Sequence, residues 1–354
     1  MNHNLEIQKI LLKLESLSHP EDKINLLKQA IQIADANNDL DWGFDLRLDL
    51  ISQEKDTSHR TESFPAFTWI LSTYDANPEL FNEDDFLWEY KWMAAAARRN
   101  VNISRQQVES IMADLKMRME RNGYTPRGYY SVMIYWNLFI GDMQEANKYL
   151  ELRDNTPRDR MSHCPACELD TKVEIELIEG QFDKAITTAN DLITKKLTCG
   201  VMPLATFCNL TYYLSKAGDE RAAEFFAKAE EEIAEAKEND TSLISNISDL
   251  IFYLNKNNRD RAWEYFQKYA DWEIGAEDAI SFDFSKNILT LLKQEGEKQL
   301  TMSEKLPYFK ADGNYKIADL YDFYYQKARN LAQQFDARNG TNAFMKALEE
   351  TVSL

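Results

Sequence analysis

Apolar residues recur along most of the chain at intervals of three and four positions, the spacing of one face of an α-helix. The first such run comprises Leu5, Ile7, Ile10, Leu11 and Leu14. The segment from Phe86 to Ala97 leaves little polar surface, as expected of a helix that lies between others. Only 11 Gly and 8 Pro occur in 354 residues, which is few turns for an all-β chain. The pattern predicts an all-α protein.

A turn signature recurs at an almost constant interval within the segment 125–269. Each of four turn dipeptides is followed by an alanine five positions after its first residue: Gly141-Asp142 by Ala146, Gly180-Gln181 by Ala185, Gly218-Asp219 by Ala223, and Asn257-Asn258 by Ala262. Successive turns are 39, 38 and 39 positions apart. A constant period of this length indicates stacked helical hairpins, each of which buries its apolar face against its neighbours.

Each part of the signature has a physical role. A glycine between two helices adopts the left-handed conformation at no steric cost, and asparagine tolerates it. The alanine falls in the first turns of the second helix, where a larger side chain would hold the paired helices apart. We therefore expect Ala223→Leu to destabilise the protein by about 1–3 kcal/mol.

These turns and alanines resemble the tetratricopeptide repeat (TPR) family, although the family period is near 34 residues. The resemblance implies an α-solenoid, a right-handed superhelix of antiparallel helical hairpins, here with a period of about 38–39 residues. We predict three regions that form one continuous solenoid: irregular N-terminal hairpins (1–100), TPR-like repeats (101–275) and C-terminal capping helices (276–354). Within the second region, Ser104 and Gln107 have the spacing of a capping box at a helix start.

Charge and hydropathy exclude several classes of partner. The formal net charge is −18, so a phosphate backbone would be repelled and nucleic acid is not an expected partner. No apolar run approaches the ~20 residues of a membrane span. The N-terminal residues lead into an amphipathic helix rather than a signal peptide, and four cysteines do not form a secreted disulfide framework. We expect a cytoplasmic protein without a membrane partner.

The cysteines form the one group with chemical character. Cys164 and Cys167 stand at a predicted helix start, and Cys199 follows the second helix of the same hairpin. Because the two ends of an antiparallel hairpin are neighbours, these three thiols are expected to converge. With His163 as fourth ligand, they would suit a tetrahedral structural zinc ion. Cys208 is a weaker candidate because it falls inside the next helix.

Two other interpretations of the cysteines stay open. A thiol at a helix N-terminus has a lowered pKa, which favours redox reactivity. Unpaired cysteines are also readily buried as small apolar residues. The chain contains no His-Glu-x-x-His motif, no glycine-rich phosphate loop and no G-x-S-x-G elbow. We therefore expect no catalysis, with a metal- or thiol-dependent enzyme as the third alternative.

The TPR resemblance also implies where a ligand would bind. The groove-facing positions of that family fall on Tyr135, Asp170, Glu174, Asn209 and Tyr212. Tyrosine and asparagine would suit a peptide, and the two carboxylates a basic partner. Alternatively, the tyrosines pack between hairpins and the carboxylates are only solvated. The leading hypothesis is a non-catalytic scaffold that binds a protein or peptide on its concave face, and the second is an intracellular peptide-sensing regulator.

Overall fold

The computed structural model describes residues 3–236 and 239–354 and is helical over most of that length. The N-terminal helices are α1 (His3–Glu15), α2 (Pro20–Ala36), α3 (Leu40–Glu54), α4 (Ser63–Ala76), α5 (Leu87–Ala97) and α6 (Arg105–Arg121). The central helices are α7 (Arg127–Ile140), α8 (Met143–Asp154), α9 (Pro165–Ile178), α10 (Phe182–Thr188), α11 (Asn190–Ile193), α12 (Leu204–Ala217), α13 (Ala222–Glu235), α14 (Ile244–Asn257) and α15 (Arg259–Tyr269). The prediction of an all-α protein is confirmed.

The C-terminal part contains α16 (Asp278–Leu292), α17 (Ile317–Asn339) and α18 (Ala343–Ser353). A small antiparallel hairpin, which the sequence pattern did not predict, joins α16 to α17. It pairs β1 (Glu297–Gln299) with β2 (Asn314–Lys316), and Lys298 lies opposite Tyr315. Short 3₁₀ helices cover Glu83–Asp85, Thr241–Leu243 and Ala270–Glu273.

The predicted capping box at the start of α6 is confirmed. The Ser104 hydroxyl accepts a hydrogen bond from the backbone N–H of Gln107 at 3.2 Å. The Gln107 side-chain oxygen accepts one from the backbone N–H of Ser104 at 2.9 Å. Both partners thus satisfy amide groups that the first helical turn leaves unpaired.

Three of the four predicted turns have the expected backbone. Gly141, Gly180 and Gly218 adopt φ of 81°, 73° and 75°, where any other L-residue would be strained. The fourth turn differs, because Asn258 is extended at φ −155° and its side chain accepts a hydrogen bond from the backbone N–H of Arg261. The prediction of a left-handed asparagine at this turn is wrong: Asn257, at the glycine position, ends α14 without a positive φ, and Asn258 serves as the N-cap of α15.

The alanine of the repeat is buried in three hairpins and displaced in one. Ala146, Ala185 and Ala262 are fully buried, whereas Ala223 is exposed and its neighbour Ala222 is buried. The reason is the helix start: α8 begins two residues after its glycine, but α13 begins four residues after Gly218. The expectation for Ala223→Leu is therefore corrected: the destabilising substitution is Ala222→Leu, one position earlier.

The central helices form two layers. In the front layer, α9, α12, α14 and α16 pack side by side in chain order. Helix α7 joins α9 through a hydrogen bond of 2.9 Å between the hydroxyls of Tyr135 and Thr171. The back layer consists of α8, α10, α13 and α15, each packed against the front-layer helix that precedes it. This arrangement is compatible with a helical repeat.

The hydrophobic core has two large parts. One extends from Ile7 to Met161 and the other from Val173 to Leu348. Phe139 packs against both parts and contacts the rings of Phe335 and Phe344 at centroid distances of 5.3 and 5.0 Å. The C-terminal helices thus return to the middle of the chain.

Hydrogen bonds also tie the N-terminal helices to the segment that precedes α16. The Ser58 hydroxyl donates to the Trp272 carbonyl at 2.8 Å, and the Ser58 carbonyl accepts from the Glu277 N–H at 2.9 Å. The Arg99 carbonyl accepts from the Ala279 N–H at 3.1 Å. These contacts fix the start of α16 against the N-terminal helices. Within the described ranges, no helix is both long and apolar enough to cross a membrane.

Replacement of the buried Ala222 by leucine should lower the free energy of unfolding by about 1–3 kcal/mol, because the closely packed α12–α13 pair has no room for the added carbons. Ala223→Leu is the matched control, since it makes the same change on the exposed side and should alter stability by no more than about 0.5 kcal/mol. Urea denaturation of both variants measures the difference. Equal losses would contradict the observed register of α13.

Candidate functional site

The three predicted cysteines converge at one end of the α9–α11 hairpin. Cys164 is the N-cap of α9, and its Sγ accepts a hydrogen bond from the backbone N–H of Cys167 at 3.3 Å. Cys199 lies in the loop between α11 and α12, with its Sγ 3.5 Å from that of Cys167. All three Sγ atoms lie within 4.8 Å of one another. This group could hold a metal ion, since thiolates at such spacing suit a single soft cation.

The thiols have different proton affinities. The pKa of Cys199 falls to about 5, chiefly because the Cys167 thiol donates a hydrogen bond to its sulfur and further because the backbone N–H groups of Val201 and Met202 point at it. The same hydrogen bond, together with burial, raises the pKa of Cys167. The group therefore holds one ready thiolate and N–H donors that stabilise negative sulfur.

The structure does not place His163 with the sulfurs. Its ring lies against that of Tyr135, with centroids 5.8 Å apart. Burial, and then the positive charge of Lys91, lowers its pKa, so the ring is neutral. The prediction of His163 as fourth ligand is corrected: the residue does not belong to the converging group, since its ring packs against Tyr135 instead. Cys208 is buried inside α12 and is not one of the three converging cysteines.

Buried charges hold the start of α9 in place. The Glu168 carboxylate accepts hydrogen bonds from Arg127 at 2.6 and 3.1 Å and also pairs with Arg158. Beside them, the buried Lys91 donates to the Met161 carbonyl at 2.7 Å. Burial lowers the pKa of Lys91 to about 7, while nearby acids and the thiols Cys167 and Cys164 act in the opposite direction. Sequence reasoning missed Lys91, which stands in a largely apolar helix.

A second group of polar and aromatic side chains lies on the front layer. We call it the polar face, and it comprises Tyr135 on α7, Asp170 and Glu174 on α9, Asn209, Tyr212 and Tyr213 on α12, Asp249 on α14, and Asp283, Lys286 and Asn287 on α16. Most of these side chains are half-buried, whereas Asp170, Lys286 and Asn287 are buried. The face thus includes all five residues that the TPR resemblance implied.

The predicted residues on α7 and α9 are close to one another. The Tyr135 hydroxyl bonds to Thr171, and the Asp170 carboxylate accepts a hydrogen bond from Thr206 at 2.6 Å. Burial raises the pKa of Asp170 to about 6. Burial, reinforced by the charge of Asp170, raises that of Glu174 to about 7.

The residues on α12 and α16 form the other half of the face. The Tyr212 ring packs on Phe252 at 4.9 Å, and the Lys286 ammonium lies 5.8 Å from the Tyr212 centroid. Lys286 pairs with Asp283 at 3.3 Å. Among the described residues, no side chain forms a hydrogen bond with Asn209. Tyr212 therefore makes contacts within the polar face, whereas Asn209 contributes only its half-buried amide.

Asp249, Tyr213 and Asn287 were missed by sequence reasoning. Asn287 donates its amide to Asp249 at 2.9 Å, and burial, reinforced by Asp283, raises the pKa of Asp249. Asp249 and Asn287 are 38 positions apart, one repeat period. That interval could have revealed the pair, had positions been compared at the repeat spacing.

Arg98, at the end of α5, adds a buried cation to the edge of the polar face. Its guanidinium lies 5.4 Å from the centroid of the Tyr135 ring. Burial lowers its pKa to about 9, and in the described part of the chain it forms no ion pair. A surface depression of about 860 Å³ lies elsewhere, along α17 between Asp319 and Gln333, and contains none of these residues.

Comparison with known proteins identifies no relative. No protein-family model matches the chain, no curated protein matches it significantly, and no solved structure is significantly similar to the fold.

The raised pKa of Glu174 predicts how stability depends on pH. Between its ordinary pKa of 4.5 and the folded value of about 7, the folded state binds more protons than the unfolded state. The free energy of unfolding therefore falls as pH rises through this window. Glu174→Gln should flatten this dependence. Above pH ~7 its free energy of unfolding should exceed that of the wild type by on the order of 1–2 kcal/mol, a value reduced for the partial solvation of the side chain.

Chemical denaturation across this pH range measures the effect. Glu224, on α13, has a side chain 63% exposed, so Glu224→Gln is the matched control and should leave the pH dependence unchanged. Parallel profiles for the wild type and Glu174→Gln would show that the Glu174 carboxylate is not desolvated.

Proposed function

We propose that the protein is a non-catalytic scaffold that binds a protein or peptide on the polar face of its front layer. The observation that carries the proposal is the continuity of this face, which joins five neighbouring helices through half-buried tyrosines and carboxylates. Such side chains keep both apolar area and hydrogen-bonding capacity for a ligand.

The charge of the face favours a basic partner. Four carboxyl groups, those of Asp170, Glu174, Asp249 and Asp283, lie near two cations, Lys286 and Arg98. An ionised face would therefore carry an excess of two negative charges, and the whole chain a net charge of −18. Long-range attraction and local complementarity then both favour a positively charged segment.

The architecture that would present this face is a TPR-like, right-handed superhelix. Its support is the left-handed glycine at three turns and the buried alanine that follows each of them. In such a superhelix, the first helix of each hairpin lines the concave surface. The front-layer helices are the first helices of their hairpins, so the polar face would be concave and suited to an extended or helical segment.

Tyr212→Ala should weaken binding of the partner at least about tenfold, because the ring supplies contact area at the centre of the face. The partner is first identified from a native mass spectrum of the protein isolated from its own cells. Its affinity for the wild type and the variant is then measured by calorimetry, with circular dichroism to verify the fold.

Tyr149→Ala provides the control for this experiment. Tyr149 is a half-buried tyrosine on the back-layer helix α8, so its loss should leave the affinity unchanged. If Tyr212→Ala bound the partner as tightly as the wild type while Tyr149→Ala did not, the interface would lie on the back layer.

We also propose that the cysteine group holds a structural zinc ion. Its support is the donor set: three sulfurs within 4.8 Å of one another, contributed by both ends of one hairpin. Cys164, Cys167 and Cys199 would supply three of the four tetrahedral ligands, and a solvent molecule would take the position that His163 does not reach. The ion would link the start of α9 to the loop before α12.

Cys167→Ser should abolish stoichiometric zinc binding and lower the melting temperature, because the hairpin loses its cross-link. Metal content is measured by mass spectrometry after refolding with zinc and desalting. Cys208→Ala is the matched control: it removes the cysteine outside the group and should retain the metal. An unaltered zinc content in Cys167→Ser would remove Cys167 from the ligand set.

A further inference from the structure

The polar face contains acceptor groups that no cation of the chain satisfies. In the described part of the structure, the Glu174 carboxylate forms neither a hydrogen bond nor an ion pair. Asp249 has its amide donor from Asn287 but no cation within 4.0 Å. Burial, together with the charges of both carboxylates, raises the pKa of the Tyr213 hydroxyl. This part of the polar face is thus rich in hydrogen-bond acceptors and poor in hydrogen-bond donors.

Asn287 provides an independent sign of a missing donor. Its side chain is 1% exposed, and its amide nitrogen donates to Asp249 at 2.9 Å and to the Ser248 hydroxyl at 3.0 Å. Its carbonyl oxygen is buried and has no hydrogen-bond partner among the described residues. Because an unpaired buried acceptor is unfavourable, a donor bound beside Asp249 would satisfy it.

Arg98 acts on Glu174, and Lys286 on Asp249, only through space, because both cations make their direct contacts elsewhere. Each charge lowers the pKa of that carboxyl against the larger effect of burial, which raises it. Lys286 points to Asp283 at 3.3 Å and to the rings of Phe282 and Tyr212. Arg98 donates to the Ala95 carbonyl and stacks near Tyr135. Neither forms an ion pair with Glu174 or Asp249, so a further positive charge can be accommodated.

We infer that Glu174, Asp249 and Asn287 form a subsite for one alkylammonium group. The inference rests on the proposed function, since this subsite would anchor the basic partner. An alkylammonium group occurs both in a lysine side chain and in a free aliphatic diamine.

The chemistry of the acceptors favours ammonium over guanidinium. The three acceptors come from three helices, α9, α14 and α16. A guanidinium presents its donors in one planar fork and prefers a single carboxylate, whereas an ammonium directs three donors to separate points.

Calorimetry with three blocked heptapeptides tests the subsite. They differ only at the central residue, which is lysine, norleucine or arginine within an alanine-glycine background, and cadaverine is the free diamine probe. The lysine peptide should bind at least about tenfold more tightly than the norleucine and arginine peptides. Glu174→Gln and Asp249→Asn should each weaken it at least about fivefold, while the exposed control Glu224→Gln should not.

Three results would overturn the inference: equal affinity for the lysine and norleucine peptides, affinities unaffected by Glu174→Gln and Asp249→Asn, or no binding of any ammonium probe up to about 10 mM. Circular dichroism establishes that both near-isosteric variants are folded.

The probes also separate this inference from the proposed function. Binding of cadaverine but of no lysine peptide, with the same dependence on Glu174 and Asp249, would support the ammonium subsite and oppose a protein-binding role. A natural partner that requires Tyr212 but neither carboxylate would support the scaffold and overturn the subsite.

Discussion

Close packing of each helix pair at its turn is the constraint on which the rest of the structure depends. A left-handed glycine reverses the chain within two residues at Gly141, and a fully buried alanine, Ala146, lets the second helix approach the first. Because the hairpin is short and rigid, the next front-layer helix starts at a nearly constant sequence interval. Polar residues at that interval, such as Asp249 and Asn287, are therefore brought side by side.

The carboxylates of the polar face lower the stability that this packing provides. Glu174 is held in its folded environment with a pKa near 7, because desolvation and the neighbouring Asp170 disfavour its charge. Buried carboxylates without a cation cost free energy, and a chain shaped only for stability would replace them by apolar residues of similar volume. The proposed basic ligand would compensate their charge. By contrast, Glu168 is balanced by two arginines and needs no such compensation.

Local signals in the sequence were sufficient for the helices, three of the turns, the capping box and the convergence of the cysteines. Each depends on residues close in sequence or on the antiparallel geometry of one hairpin. The burial of Ala222 rather than Ala223 was not predictable, because it depends on where α13 begins. The direction of the His163 ring depends on its packing against Tyr135, a contact between hairpins. Asn287 was missed for a related reason: its role arises only when α14 and α16 are adjacent.

The cysteine group and the polar face are not independent, because α9 carries part of both. Cys167 lies one helical turn before Asp170, which in turn lies four residues before Glu174. A metal ion that fixes the first turn of α9 to the loop before α12 would also fix the depth and rotation of these carboxylates relative to Tyr213. Small displacements of a charged group change electrostatic attraction strongly where solvent is scarce. The cysteines would then act on ligand binding through the position of α9, without contact with the ligand.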